Sequence, residues 1–186
     1  MKTLLALTLL LLQALAAPGQ PAQIILLRHA EEPYDPAAVN LSPRGMERAR
    51  ALVSLLGKHS LLTSNAPVAV LYATHVTKHG RSQRAGETIA PLSKELGLTV
   101  QTPYESKQYS LLARDILGNR AYRGKTVILC WTHEDIAELA AALGVKPKPP
   151  PWKGSVFDRL WLIKPRGREV EFRDLPQHLL KGDSER

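Results

Sequence analysis

The chain has 186 residues, with 25 Lys and Arg against 17 Asp and Glu, and a single cysteine. This length accommodates one sizeable core, and one cysteine excludes an intrachain disulfide, so stability has to come from packing. The basic residues are scattered and aromatics are only 5% of the chain, which is not the composition of a nucleic-acid surface; attraction to anionic substrates fits the charge better.

Met1-Lys2-Thr3 is a short positive start, Leu4 to Leu15 is almost wholly apolar, and Ala14-Leu15-Ala16 supplies the small residues a signal peptidase reads. The expectation is a secretory leader over 1–16, cleaved after Ala16, and one exported domain over 17–186, secreted or periplasmic. The apolar run falls short of the ~20 residues needed to span a bilayer, so no stable membrane anchor is expected. Ile24 to Leu27 reads as a strand buried on both faces. It ends at Arg28-His29, placing a fixed cation and a titratable imidazole at the strand's C-terminal end, the edge where open α/β sheets bind ligands.

Glu32 to Pro36 is a loop, because its two prolines exclude regular structure. Ser42-Pro43 starts a helix, with Ser42 as N-cap and proline at the first helical position. Its apolar stripe runs through Met46, Ala49, Leu52, Val53 and Leu56 to a stop near Gly57, while Arg44 and Arg48 read as solvated. Val68 to Tyr72 is a second strand, broken by Ala73-Thr74-His75. The loop beyond carries His75 and His79 four apart, but it reads as loop rather than helix, and neither a metal nor any cofactor is expected. A helix follows from about Ser82 to Gly97, with Pro91 expected to kink it or split off its first turn.

Leu98 to Thr102 is a short third strand, and Glu105 lies just past it. Leu111, Leu112, Ile116 and Leu117 mark a helix ended by Gly118-Asn119. Thr126 to Cys130 is the fourth strand, with Cys130 as a small buried hydrophobe, and it runs into Trp131-Thr132-His133-Glu134. A helix then carries Ile136, Leu139, Ala140 and Leu143. Beyond the extended connector Lys146 to Pro151, the segment Trp152 to Arg159 is in position to reach the pocket and shape substrate choice. The three tryptophans read as core or rim packing, Val156 to Ile163 and Glu169 to Phe172 as late strands, and the tail from Lys181 as frayed. Alternating strands and helices predict an α/β three-layer sandwich, a mostly parallel central sheet with helices on both faces.

Four polar residues recur at or just beyond strand ends: Arg28, His29, Arg84 and His133. Leu-Arg-His-Ala-Glu at 27–31, Leu-Ser-Pro-Arg-Gly at 41–45, Arg-Ala-x-Glu-Thr at 84–88 and Thr-His-Glu at 132–134 come in the order of the histidine phosphatase superfamily. From Ile24 to Gly144 the chain resembles that superfamily, departing from its common pattern at Ala30, Glu87 and Thr132. The resemblance implies a phosphoglycerate-mutase-like fold and a metal-independent phosphatase acting on a small phosphorylated substrate. It makes His29 the nucleophile that becomes phosphohistidine, and Arg28, Arg84 and His133 the groups that hold the phosphoryl oxygens. The proton donor falls to Glu105 or, alternatively, Glu134, while Glu31 is structural or lies at the entrance. Forked guanidinium donors suit a doubly charged anion, and phosphoryl transfer depends on positioning and charge neutralisation more than on covalent machinery. Nearby arginines are expected to disfavour protonation of His29. A phosphomutase and a non-catalytic phospho-ligand binding module are the alternative readings on the same fold.

Overall fold

Side chains of strand β1 (Gln23–Arg28) alternate between two cores. Ile24 and Leu26 enter one and Ile25 and Leu27 the other, all fully buried. The same parity divides β4 (Thr126–Trp131), where Val127, Leu129 and Trp131 face the first core and Ile128 and Cys130 the second. A strand buried on both faces has to lie inside a sheet, and β1 and β4 are adjacent parallel strands at its centre. The computed structural model describes residues 20–78 and 82–185, so the expected leader, His79 and Arg81 lie outside the described residues.

With β2 (Val68–Ala73), β3 (Val100–Gln101), β5 (Arg159–Arg166) and β6 (Glu169–Pro176), the order is β3-β2-β4-β1-β5-β6. The first four strands are mutually parallel, and β5 and β6 add an antiparallel hairpin at one edge. Helices α1 (Pro43–Leu56) and α2 (Arg84–Leu96) bury Leu52, Leu56, Ile89 and Leu92 against the Ile25 face. Helices α3 (Tyr109–Gly118) and α4 (Ile136–Ala142) bury Leu112, Ile116, Ile136 and Leu139 against the Ile24 face. The result is the expected three-layer sandwich. No helix among the described residues is long and apolar enough to cross a membrane.

Helix α1 starts as its sequence predicts, with Ser42 accepting from the Gly45 amide at 3.1 Å and Pro43 in the first turn. Gly45 also lets the helix approach the chain after β1, since a Cβ there would overlap the Glu31 carbonyl. Three local expectations change. Pro91 does not split α2, because proline removes one helical hydrogen bond while buried Thr88, Ile89 and Leu92 hold the turns around it to the sheet. Met46 falls off the buried stripe and is 46% exposed. β5 begins at Arg159 rather than Val156, because the Val156 carbonyl instead accepts from the Trp152 indole at 2.8 Å.

The largest difference is Arg48, which is buried rather than solvated. Its guanidinium donates to both Glu31 oxygens at 2.8 to 3.1 Å, to Asp183 at 2.7 and 2.9 Å, and to Gln177 at 3.1 Å. Asp183 Oδ2 also accepts from the Leu179 and Leu180 amides at 2.9 and 3.0 Å, so the tail expected to fray is docked on α1. Burial alone would raise the Asp183 carboxyl, but the hydrogen bonds from Arg48 and these amides outweigh it and hold the group well below the usual carboxylate range. A carboxyl depressed in this way contributes stability above its unfolded value and loses it as pH falls through the folded one. Arg48→Met removes the buried partner of two carboxylates and leaves them the half-exposed Arg44, so it should lower the unfolding free energy at neutral pH by about 3 kcal/mol in urea titrations. That deficit should shrink below about pH 4, where the unfolded-chain carboxylates protonate.

Candidate active site

Because β1 and β4 are neighbours running in the same direction, their C-terminal ends come out side by side. The His29 amide donates to the Trp131 carbonyl at 3.1 Å, extending the pairing one residue past the sheet, and Thr132-His133 follow directly on β4. Arg84 is the first residue of α2, on the same edge. The topology therefore gathers Arg28, His29, Arg84 and His133 from three separate segments to one end of the sheet. Thr88 on α2 ties the helix to this edge, its hydroxyl accepting from the Ala30 amide at 2.8 Å and donating to the Arg84 carbonyl at 2.7 Å. Glu87, one of the departures from the superfamily pattern, anchors the incoming loop by accepting from the Leu41 amide at 2.8 Å.

His29 is 5% exposed, and its Nδ1 lies 2.8 Å from the Ala30 carbonyl. A carbonyl can only accept, so Nδ1 carries the hydrogen and Nε2 presents the lone pair. Burial lowers the imidazole pKa to about 4, with the Ala30 hydrogen bond opposing and Arg28 adding to the fall. The arginines act in the expected direction, but desolvation is the larger cause. His133 is lowered as well, first by burial and then by Arg28, with Glu134 opposing.

Arg28 is 1% exposed, and burial pulls its guanidinium below the ordinary value against the pull of Glu32. Its Nη1 donates to the Gly154 carbonyl and contacts the Val156 carbonyl at 3.4 Å, while the Phe157 ring lies 3.8 Å from the guanidinium carbon. The Trp152 to Arg159 segment therefore does reach the site, and Gly154 packs beside the His133 ring so closely that a Cβ would stand 3.3 Å from Nε2. Trp152 itself packs on Trp161 at 4.9 Å, as expected of core tryptophans. A cavity of about 720 Å³ is lined by this segment together with Arg44 and Arg48 of α1 and Trp161 of β5; it includes Val156 and Phe157 but neither histidine.

Glu32 joins the two arginines. Its Oε1 is 3.2 Å from Arg28 Nη2 and its Oε2 is 2.6 Å from Arg84 Nη1. Arg84 also donates to the Ala38 carbonyl. Sequence reading missed Glu32 as a site residue, since it was absorbed into the proline-rich loop. The signal was the Glu31-Glu32 doublet right after the strand end. Glu31 turned inward to Arg48, as a structural residue, and Glu32 turned to the site. Of the two candidate acids, Glu105 is exposed at the start of a 3-10 turn, its amide donating to the Gln108 side chain at 3.0 Å and its backbone carbonyl accepting from the Gln108 amide at 2.9 Å. Glu134 instead lies 3.3 Å from His133 Nδ1, at ion-pair distance but without the alignment of a hydrogen bond. His75 Nδ1 is 2.9 Å from the Thr102 carbonyl, and among the described residues no three potential ligands cluster to hold a metal.

Among the described residues, the buried side-chain nitrogens and oxygens without a hydrogen-bond partner are Arg28 Nε, Arg84 Nε and His133 Nδ1. All three belong to this site. A buried unpaired polar atom costs roughly 1–3 kcal/mol, so three of them on the residues at this edge mark it as a candidate binding site. A titration of His29 followed by NMR of its ring protons should give a midpoint near pH 4; a midpoint at 6.5 or above would contradict the burial of its ring. The unfolded chain binds that proton below about pH 6.5 and the folded site does so only near 4, so stability should fall as pH drops through that window.

No family model matches the sequence, and no curated protein matches it. Solved structures do. A mycobacterial glucosyl-3-phosphoglycerate phosphatase is similar over 83% of this chain and 97% of its own, with 16% identity and a TM-score of 0.55. Its complex with inorganic phosphate matches with 17% identity and a TM-score of 0.51, over 83% and 95% of the two chains. An Escherichia coli protein assigned as an alpha-ribazole-5'-phosphate phosphatase covers 84% of this chain and 97% of its own, with 15% identity and a TM-score of 0.53. At these identities the likeness shows the fold, which is the phosphoglycerate-mutase-like sandwich expected from the sequence.

Proposed function

We propose that this protein is an exported phosphatase that hydrolyses small phosphomonoesters through a phosphohistidine on His29. The observation that carries the reading is the convergence of three unpartnered buried donors, Arg28 Nε, Arg84 Nε and His133 Nδ1, around a neutral imidazole. A phosphoryl group offers the acceptor oxygens such donors lack, and forked guanidinium groups match its geometry. The shared fold of phosphatases supports the same reading, and the leader expected over 1–16 supports export.

In this mechanism the Nε2 lone pair of His29 attacks phosphorus while Arg28, Arg84 and His133 hold the non-bridging oxygens. The P–N bond forms, the ester P–O bond breaks, and the leaving oxygen takes a proton from a carboxyl group. Water then attacks the phosphohistidine, giving its proton to the same carboxylate and releasing orthophosphate. We assign the carboxyl role to Glu134, which stands beside His133, over Glu105, which is exposed at the start of a 3-10 turn. The low proton affinity of His29 keeps its lone pair available across the neutral range.

The test is phosphate release from a panel of phosphomonoesters by residues 17–186, with chelator present. The wild type should turn over and His29→Ala should lose activity by at least about a thousandfold, as expected of a nucleophile rather than a positioning group. Equal release by both proteins would remove His29 from this role. Glu134→Gln should slow esters of poor leaving groups by roughly 10²–10⁴-fold and spare activated ones, while Glu105→Gln should change both little. The reverse ranking would return the acid role to Glu105.

A further inference from the structure

The Glu32 carboxylate bridges the two guanidiniums that the proposed function assigns to the phosphoryl group, with one oxygen on Arg28 and the other on Arg84. We infer that Glu32 is an internal competitor, a tethered carboxylate that any anionic ligand must displace from Arg28 and Arg84, and that it sets the affinity threshold of the site. This inference rests on the phosphoryl site proposed above and adds a built-in anion that competes for it.

The reasoning is one of competition. Two guanidiniums bridged by one carboxylate keep a net positive charge but have already given their Nη2 and Nη1 donors to it. A monoanion such as a phosphodiester offers the pair the same single charge that Glu32 already supplies, and so gains little by replacing a tethered carboxylate. A dianion brings a second charge and three non-bridging oxygens. Its additional oxygens match the nitrogens that Glu32 leaves unpaired, Arg28 Nε, Arg84 Nε and His133 Nδ1, once the carboxylate has moved away. Glu32 is free to yield because it follows β1 by a short loop and its side chain is 34% exposed, whereas Arg28 is held from behind by the Gly154 and Val156 carbonyls and the Phe157 ring. The arginines stay in place while the carboxylate leaves. Competition of this kind lowers every ligand's apparent affinity by the same factor, set by the fraction of sites that Glu32 occupies, so that ligands weak for the open pair of arginines fall below detection.

The experiment is calorimetric binding at pH 8 of orthophosphate, mostly a dianion there, and of dimethyl phosphate, a monoanion, to the wild type, Glu32→Gln and Glu32→Asp. Circular dichroism checks the fold of each. Glu32→Gln removes the charge at constant shape, and Glu32→Asp keeps the charge on a stem too short to bridge both arginines. The expected result is a gain of roughly tenfold or more in orthophosphate affinity for both variants. Dimethyl phosphate should bind measurably to Glu32→Gln and not to the wild type. Equal orthophosphate affinity in all three, or Glu32→Asp behaving as wild type, would overturn the bridging competition while leaving the phosphoryl site standing. Weaker orthophosphate binding by Glu32→Gln would show the carboxylate helping the ligand and would likewise overturn it. If no folded variant binds orthophosphate, the phosphoryl site itself fails, and this inference with it.

Discussion

The burial of Arg28 is the constraint on which the site depends. A guanidinium taken out of water at the end of the central strand loses its hydration and has to be compensated by groups the chain brings to it. Glu32 supplies a charge, the Gly154 and Val156 carbonyls supply acceptors, and Phe157 supplies a ring face. That requirement draws the 152–157 segment across the end of the sheet and beside His133. The segment is in turn pinned by Trp152, whose indole bonds the Val156 carbonyl and packs on Trp161 of β5. The pocket wall, the start of β5 and the setting of both histidines thus follow from one desolvated charge.

Arg28 and Arg48 show how burial serves two ends. Arg48 has every guanidinium nitrogen paired, against two carboxylates and Gln177, and its work is to fasten the C-terminal segment to α1. Arg28 is buried as deeply but keeps an unpartnered Nε, next to a histidine held neutral by the same dry surroundings. Fully satisfied buried charge makes structure. Partly satisfied buried charge, gathered with other unsatisfied donors, makes a place for a ligand. Low local polarity acts on both kinds of group, strengthening what the arginines can offer an anion and keeping a proton off His29.

The order and type of the elements were legible along the chain because they follow from local pattern. Four aliphatic residues at 24–27 had to be a doubly buried strand, Ser42-Pro43 had to start a helix, and the apolar run at 126–130 had to stop where Thr132 and His133 begin. Arg28, His29, Arg84 and His133 could be picked out because each follows such an element. Glu87 and Ala30 departed from the expected residues without disturbing the edge, one anchoring a loop and the other donating to Thr88.

What the amino-acid order determined by itself was therefore the set of strands and helices, and the polar residues at their ends, since periodicity and capping act over a few residues. Only the tertiary structure decided what those residues meet. Arg48 read as solvated because its partners are Glu31 and Asp183, which lie 17 and 135 positions away along the chain. Glu32 read as loop because its role is set by Arg84, 52 positions on, and Gly154 by Arg28, 126 positions back. Burial, which pushes His29 down and buries Arg28, is a property of the assembled layers and has no signature in any short stretch of sequence.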